Sequence, residues 1–507
     1  MKEDKISVLQ TGMADWSDIL KTENDFLSWS FLPSQTSLLD FEAWVEENGQ
    51  PSVLLLTEIS TIAELEAIMA LVDPYRIVVD IKEAEEDVTR RQQLKSHFAS
   101  YLDFSNKENV IYQLTKYFYF AQYGDRIRIE MLHISPDFYH DVTYFGSSEI
   151  DISGEFGQSY QSVASWQFNA IAEPRFNHEY WLEHTIDETL EAELVVRLLT
   201  TDSLKIVDSW TVNLKNQVKP IVIASDLATE YYLSFTIRVK GYGKLSLGSL
   251  HHRRSRLDFG QFLVGGQRLV DQKSEEIMTY FYPGNLKPPL NVYFSGYRTA
   301  EGFEGFPMMK KLRQPFILIA DPRLEGGAFY IGSPEMEAKI IKVIRDQLAD
   351  LGFSSEQLIL SGLSMGTFGA LYYASNLEPG AVIVGKPLAN LGNIAANGVF
   401  LRPGEFGTAS DLLLQNTGGT TSKHVDMLNQ RFWHKFSKTP FNHTTFAIAY
   451  MRDDDYDQTA YDDLLETLGN SRAMVIGKGI SGRHNDNTGE IIEWFLNQYQ
   501  RIIKTFS

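Results

Sequence analysis

The sequence predicts an α/β protein whose C-terminal part is an α/β-hydrolase-like domain with a mainly parallel sheet, preceded by a β-sandwich and a small N-terminal α/β unit. Three observations carry this. Apolar strand-like runs alternate with helical patterns over residues 1–125 and again over 256–507, whereas residues 126–255 hold only short runs with turn residues between them. The stretch Leu358 to Leu371, LILSGLSMGTFGAL, reads as a buried strand, a tight glycine turn with one serine, and the first turns of a helix. A length of 507 residues is also too much for one core, so two or three domains are expected.

In the segment 1–125, Lys5 to Leu9, Val53 to Leu56 and Ile77 to Val79 are strand candidates, with a helical pattern over Ile62 to Val72. Gln10-Thr11-Gly12 lacks the further glycines and the Lys-Ser/Thr of a nucleotide motif and is read as a turn. From Arg126 the runs Ile127 to His133, Val142 to Phe145, Glu149 to Ser153, Leu194 to Thr200, Trp210 to Leu214, Tyr231 to Val239 and Lys244 to Leu247 have the rhythm of a sandwich. Trp166, Phe168, Phe176, Tyr180, Trp181, Trp210, Tyr231 and Tyr232 could supply a sugar-binding face or fill its core. His251-His252-Arg253-Arg254 is read as a basic surface corner rather than a metal site, because adjacent strand residues point to opposite sides.

Across 256–507, strands are expected at Leu290 to Phe294, Phe316 to Ala320, Leu358 to Leu360, Ala381 to Val384, Thr445 to Tyr450 and Ala473 to Ile476. Helices are expected at Glu335 to Leu351, Thr367 to Ser375, Tyr461 to Leu468 and Thr488 to Thr505. Ligands of such a sheet belong at the C-terminal ends of its strands.

Composition narrows the function. A formal net charge of −20 argues against nucleic acid as a partner, since phosphate neutralisation needs a basic footprint. The absence of cysteine excludes disulfides, thiolate nucleophiles and cysteine-ligated zinc, and no metal site is expected. The N-terminus has no apolar signal core, and no stretch approaches the roughly 20 apolar residues of a membrane span. The expectation is a soluble, cytoplasmic protein with no direct span.

Gly362-Leu363-Ser364-Met365-Gly366 fits the G-x-S-x-G nucleophile elbow, in which small residues let a strand reverse into a helix and expose the serine hydroxyl. The turn also aims the Met365 N–H at the same spot as one oxyanion donor. A serine needs a histidine to take its proton and a carboxylate to orient that histidine, in the chain order serine, acid, histidine. Strand Thr445 to Tyr450 runs into Asp453, Asp454, Asp455 and Asp457, and strand Ala473 to Ile476 runs into a loop carrying His484. Asp454 is favoured as the acid, with Asp453 and Asp455 left open by periodicity. The second oxyanion donor is expected from the loop after Leu290 to Phe294, at the N–H of Gly296 or Tyr297. Asp321-Pro322-Arg323 and Gly326-Gly327 are expected to border the pocket.

The elbow GLSMGTFGALYYAS, the MRDDDYD segment and the GRHND loop together resemble the acetyltransferase component of the bacterial accessory Sec system, the accessory secretory protein two family. The resemblance covers the whole chain in length and layout, with its specific motifs in the last half. It implies an enzyme that O-acetylates N-acetylglucosamine on serine-rich-repeat adhesins before or during export. It further implies a complex with the other two accessory secretory proteins, working beside the accessory SecA motor at the cytoplasmic membrane face. Carried over by position, the nucleophile is Ser364, the base His484 and the acid Asp454, where family members also use Glu. The sandwich is similar to the family's carbohydrate-binding-type module. No bound cofactor is expected. Acetyl-CoA is one candidate donor, although the chain carries no coenzyme A or nucleotide signature. The rival readings are a carbohydrate esterase or deacetylase with the same triad, and a non-catalytic secretion adaptor.

Overall fold

Strands buried on both faces read as unbroken apolar runs, and the last part of the chain supplies several. In the computed structural model, Gln267–Val270 (β1), Glu276–Tyr282 (β2), Leu290–Phe294 (β3), Phe316–Ala320 (β4), Leu358–Leu363 (β5), Ala381–Gly385 (β6), Thr445–Met451 (β7) and Met474–Ile480 (β8) form one eight-stranded sheet. Its order is β1-β2-β4-β3-β5-β6-β7-β8. The β1–β2 and β2–β4 pairings are antiparallel, and the pairings from β4 through β8 are parallel. The structure describes residues 5–20, 26–62, 64–84, 88–167, 169–224, 229–400 and 409–506.

Helices Pro334–Leu351 (α1), Met365–Leu377 (α2), Leu391–Phe400 (α3), Ala409–Thr417 (α4), Ser422–Phe436 (α5), Ala460–Gly469 (α6) and Thr488–Ile503 (α7) accompany this sheet. Local chemistry explains why α1 starts where it does. The Ser333 hydroxyl accepts from the Met336 N–H, Pro334 stands at the first position, and Met336, Ile340, Ile344 and Leu348 form a buried stripe at i, i+4 spacing. The expected strands and helices are present with ends moved by a few residues. Strands β1 and β2 and helices α3 to α5, which lie between β6 and β7, are additional.

The chain forms two compact units, the first of residues 1–122, 175–177 and 254–266 and the second of the remainder. In the first, Leu27–Pro33, Ile6–Gly12, Val53–Leu56, Ile77–Asp80 and Ser100–Leu102 make an all-parallel five-stranded sheet in that order. The expected helix over Ile62 to Val72 contracts to Leu65–Met69. The second unit contains the eight-stranded sheet and a separate ten-stranded one, whose pairings, such as those of Leu190–Thr200 with both neighbours, are antiparallel. Tyr231–Arg254 is one continuous strand there, so the two runs expected at Tyr231 to Val239 and Lys244 to Leu247 are joined. Its irregular register around Gly241 explains why the apolar alternation breaks.

For this region the choice between a sugar face and a core is decided for four aromatics, and one expectation needs correction. Trp166, Phe176, Tyr180 and Trp181 are all at most 4% exposed, so they fill cores rather than offer a sugar face. Trp210, Tyr231 and Tyr232 are half-buried, and Phe168 lies outside the described residues. The His251-His252-Arg253-Arg254 cluster is not a surface corner. His251 and Arg253 are each 1% exposed, and they meet carboxylates from three distant segments. The His251 ring donates to Glu301 at 2.6 Å and Glu183 at 3.1 Å, while Arg253 reaches Glu301 at 2.6 Å and Glu276 at 2.6 Å. Buried charge is tolerated when it is paired in this way.

Among the described residues, no helix is long and apolar enough to cross a membrane, and no group of three or more His, Cys, Asp or Glu could hold a metal ion.

Candidate active site

The site is built where β5 ends. Ser364 takes φ 52° and ψ −120° between β5 and α2, a strained conformation for a residue with a side chain. Glycines on either side make the turn possible. A Cβ on Gly362 would lie 2.3 Å from backbone atoms of Gly366, and one on Gly366 would lie 2.0 Å from the Phe294 carbonyl oxygen. The Ser364 N–H donates to the Gly385 carbonyl at 2.9 Å, and the Thr367 hydroxyl donates to the Ser364 carbonyl at 2.6 Å. The serine is thereby held at the C-terminal edge of the sheet, at the start of a helix whose first N–H groups lack intrahelical acceptors. Met365 supplies the first of these N–H groups.

β7 and β8 bring the partners. Ser364 Oγ lies 2.8 Å from His484 Nε2, and His484 Nδ1 lies 2.9 and 3.1 Å from the two Asp454 carboxylate oxygens. A carboxylate can only accept here, so Nδ1 carries a proton, and in the neutral ring Nε2 is left with the lone pair that faces the serine. His484 is 1% and Asp454 7% exposed. The Tyr456 ring packs edge-on against the imidazole at 4.2 Å.

The three adjacent aspartates separate by what they touch. Asp454 meets the imidazole and also accepts from the Tyr456 N–H at 2.9 Å. Asp455 accepts from the His484 backbone N–H at 3.0 Å, and Asp453 from the Gly482 N–H at 3.3 Å. Asp457 turns away and accepts from the Ala389 and Asn390 N–H groups at 2.8 and 2.7 Å, fixing the segment after β6.

A pocket of about 400 Å³ opens at Ser364, walled by Gly296, Tyr297, Glu304, Met365, Lys386 and apolar residues such as Phe329, Leu388 and Ile491. The second oxyanion donor is expected at the N–H of Gly296 or Tyr297. Gly296 lines this pocket, and its N–H donates to the Glu304 carboxylate at 2.6 Å. Tyr297 lines the same wall. Asp321 and Arg323 do not line the pocket: they pair at 2.7 and 2.8 Å, and Asp321 also accepts from the Ala328 and Tyr330 N–H groups behind it. Gly326 and Gly327 lie under Tyr297 and Met365, where a Cβ would meet those side chains at 2.0 and 2.6 Å.

Sequence reasoning missed Glu304, Lys386 and the pocket residues Ile394 and Thr488. The one available signal was Gly385-Lys386-Pro387, a charged residue set directly after an apolar strand. Burial pushes the Lys386 ammonium below its usual pKa, partly offset by the Asp454 and Glu304 carboxylates.

Residues 6–506 match a family model described as accessory Sec system GspB-transporter, that of accessory secretory protein 2. The accessory Sec system protein of that name from Staphylococcus aureus (strain NCTC 8325 / PS 47) is 41% identical over 508 residues, covering 99% of this chain and 97% of that protein. Its counterpart from Streptococcus gordonii is 38% identical over 505 residues, covering 99% and 98%. Among solved structures, a chain of the Glycosylation Associate Protein (Gap123) complex from Streptococcus agalactiae is 38% identical, aligns over 99% of both chains and has a TM-score of 0.88. With its whole length matched at these identities, the chain belongs to the accessory secretory protein 2 family of the accessory Sec system.

Proposed function

We propose that this protein is a serine-nucleophile O-acetyltransferase that acetylates N-acetylglucosamine on serine-rich-repeat adhesins and takes part in their export by the accessory Sec system. The observation that carries the catalytic part is the unbroken hydrogen-bonded line from the strained Ser364 through His484 to Asp454, with 2.8 and 2.9 Å contacts. A mainly parallel sheet bearing that serine on its C-terminal edge is the setting in which α/β-hydrolases work.

In the first half-reaction Ser364 Oγ attacks the acyl carbonyl while its proton passes to His484 Nε2. The Met365 N–H and the start of α2 stabilise the oxyanion. Collapse breaks the bond to the leaving group, which takes the proton from His484 and departs, leaving an acyl-serine. In the second half-reaction a sugar hydroxyl gives its proton to Nε2, attacks the acyl carbon, and releases Ser364 as His484 returns the proton to Oγ. Asp454 holds the imidazole in the required tautomer throughout. Partition toward the sugar rather than water depends on how well the pocket holds the acceptor.

The Streptococcus agalactiae relative was solved as a Gap123 complex. By extension, this chain is proposed to act with the other two accessory secretory proteins, beside the accessory SecA motor at the cytoplasmic membrane face. The test is intact mass after incubation with 4-nitrophenyl acetate, beside Ser364→Ala and His484→Ala, followed by addition of a glycosylated adhesin fragment. The expected result is an acetyl adduct on Ser364 that passes to the glycan. Release of free acetate with no acetylated sugar, with the partner proteins present, would make the chain an esterase. No adduct under those conditions would leave the adaptor role alone.

A further inference from the structure

Lys386 is the cationic side chain of the pocket wall, and nothing in the reaction above employs it. It follows β6 directly, in the left-handed region at φ 62°, and is 6% exposed. Its N–H donates to the Ala449 carbonyl at 2.8 Å, which fixes the backbone and sends the side chain along the wall of the Ser364 pocket. A lysine ammonium has three donors. Here the one hydrogen bond it makes is a long one, to Thr488 Oγ1 at 3.3 Å, and no carboxylate is ion-paired with it among the described residues. The Asp454 and Glu304 carboxylates offset its burial only in part and neither is in ion-pair contact, so the ammonium keeps donors that a bound group can complete. Thr488 is the first residue of the sixteen-residue helix α7, so the positive end of that helix adjoins the same wall.

The geometry points to Lys386 as a specificity-determining residue that binds an anionic oxygen, a carboxylate or a phosphate, on the molecule that delivers the acyl group. This assignment to the donor rests on the proposed transferase reading, in which the acceptor sugar is neutral and offers no anion. Position agrees with it. Lys386 follows β6 and Gly296 follows β3, on opposite sides of β5, so the anion lies on the α7 side of Ser364 while the Glu304 carboxylate stays with the Gly296 N–H on the other.

The test uses two acetyl esters that release nitrophenolates, 4-nitrophenyl acetate and its 3-carboxy derivative. The ratio of their kcat/KM values cancels any general loss of activity in a variant. The expected result is a wild-type preference for the carboxylated ester that falls about 10- to 100-fold in Lys386→Met, the range of one charge-assisted hydrogen bond, and is largely kept in Lys386→Arg. An unchanged ratio in Lys386→Met, or no wild-type preference, overturns the assignment. A second measurement separates it from the transferase reading: binding of 3-carboxy-4-nitrophenol to Ser364→Ala, and to Ser364→Ala with Lys386→Met. Lys386-dependent binding without any acyl-serine would sink the transferase reading and leave the anion site standing. Acylation of Ser364 with no Lys386 dependence in either assay would do the reverse.

Discussion

Replacing Asp454 with asparagine changes charge but almost no volume, and its neighbours serve as internal controls. In the structure Asp454 accepts from His484 Nδ1 at 2.9 and 3.1 Å and from the Tyr456 N–H at 2.9 Å. An asparagine can keep the backbone contact through its carbonyl oxygen, but it then turns its NH₂ toward Nδ1. That favours the ring tautomer with the proton on Nε2, which cannot take the Ser364 proton. The imidazolium formed during attack also loses its counter-charge. Where a triad carboxylate is neutralised in this way the rate falls about 10⁴-fold, or about 5.5 kcal/mol of barrier. Asp453→Asn and Asp455→Asn each keep an oxygen for the Gly482 or His484 backbone N–H they serve at 3.3 and 3.0 Å, so each is expected to cost less than about tenfold. The assay is the single-turnover burst of nitrophenolate from 4-nitrophenyl acetate, with circular dichroism to confirm folding. An Asp454→Asn rate within tenfold of wild type would refute the assignment of the acid. So would an equal collapse in Asp453→Asn or Asp455→Asn.

Three further outcomes follow from the packing and the charges. Gly366→Ala places a methyl 2.0 Å from the Phe294 carbonyl oxygen, so thermal or denaturant unfolding should show a loss of about 3 kcal/mol or more together with loss of acylation. Glu304→Ala frees the Gly296 N–H from its 2.6 Å bond, and acylation by a neutral ester should rise several-fold; a fall would mean that Glu304 instead holds the loop in place. In the buried cluster, burial alone would lower the His251 pKa, but the Glu301 and Glu183 carboxylates together outweigh it and hold the ring at about 9; burial alone would raise Glu301, but Arg253 and His251 together hold it at about 2. The His251 contribution to stability is therefore full below pH 6.5 and lost toward pH 9, and that of Glu301 is full above pH 4.5 and lost toward pH 2. Glu301→Gln should flatten both flanks of the melting-temperature profile and cost about 3–5 kcal/mol between them.

The parts of this molecule legible in the sequence are those whose physics is local. Strands such as Phe316–Ala320 and Ala381–Gly385 are buried throughout, so their apolar runs are unbroken, and the elbow announces itself because only glycines fit at 362 and 366. The elbow motif points to Ser364, and chain order with its place on the loop after the last strand points to His484. Asp454 is favoured as the acid but periodicity does not separate it from Asp453 and Asp455, because the three share one turn and differ only in which atom of another loop each meets. The HHRR cluster was misread for a related reason: Glu183, Glu276 and Glu301, which pair with it, are brought there by folding and leave no mark beside it in the chain. Helix α3 is hard to read because LGNIAANGVF mixes apolar residues with two glycines and shows no clean polar face.

A serine at φ 52° costs about 1–3 kcal/mol of backbone strain, and nothing in the intrinsic preferences of the elbow residues offsets it. The offset comes from behind. Eleven of the thirteen residues of α2 are buried, so moving the elbow would lift the helix off the sheet. Beneath it, Asp321 accepts the Tyr330 N–H at 2.9 Å, the Tyr330 hydroxyl donates to the Ser295 carbonyl at 2.5 Å, and the Tyr373 hydroxyl of α2 donates to the Tyr330 carbonyl at 2.6 Å. These bonds tie the segment after β4 to the nucleophile helix and to the residue just before Gly296. The Asp321–Arg323 pair, expected at the rim of the pocket, instead anchors the segment after β4 through the Ala328 and Tyr330 N–H groups. The geometry of the proposed catalytic site is therefore a property of that buried layer as much as of the residues that face the pocket.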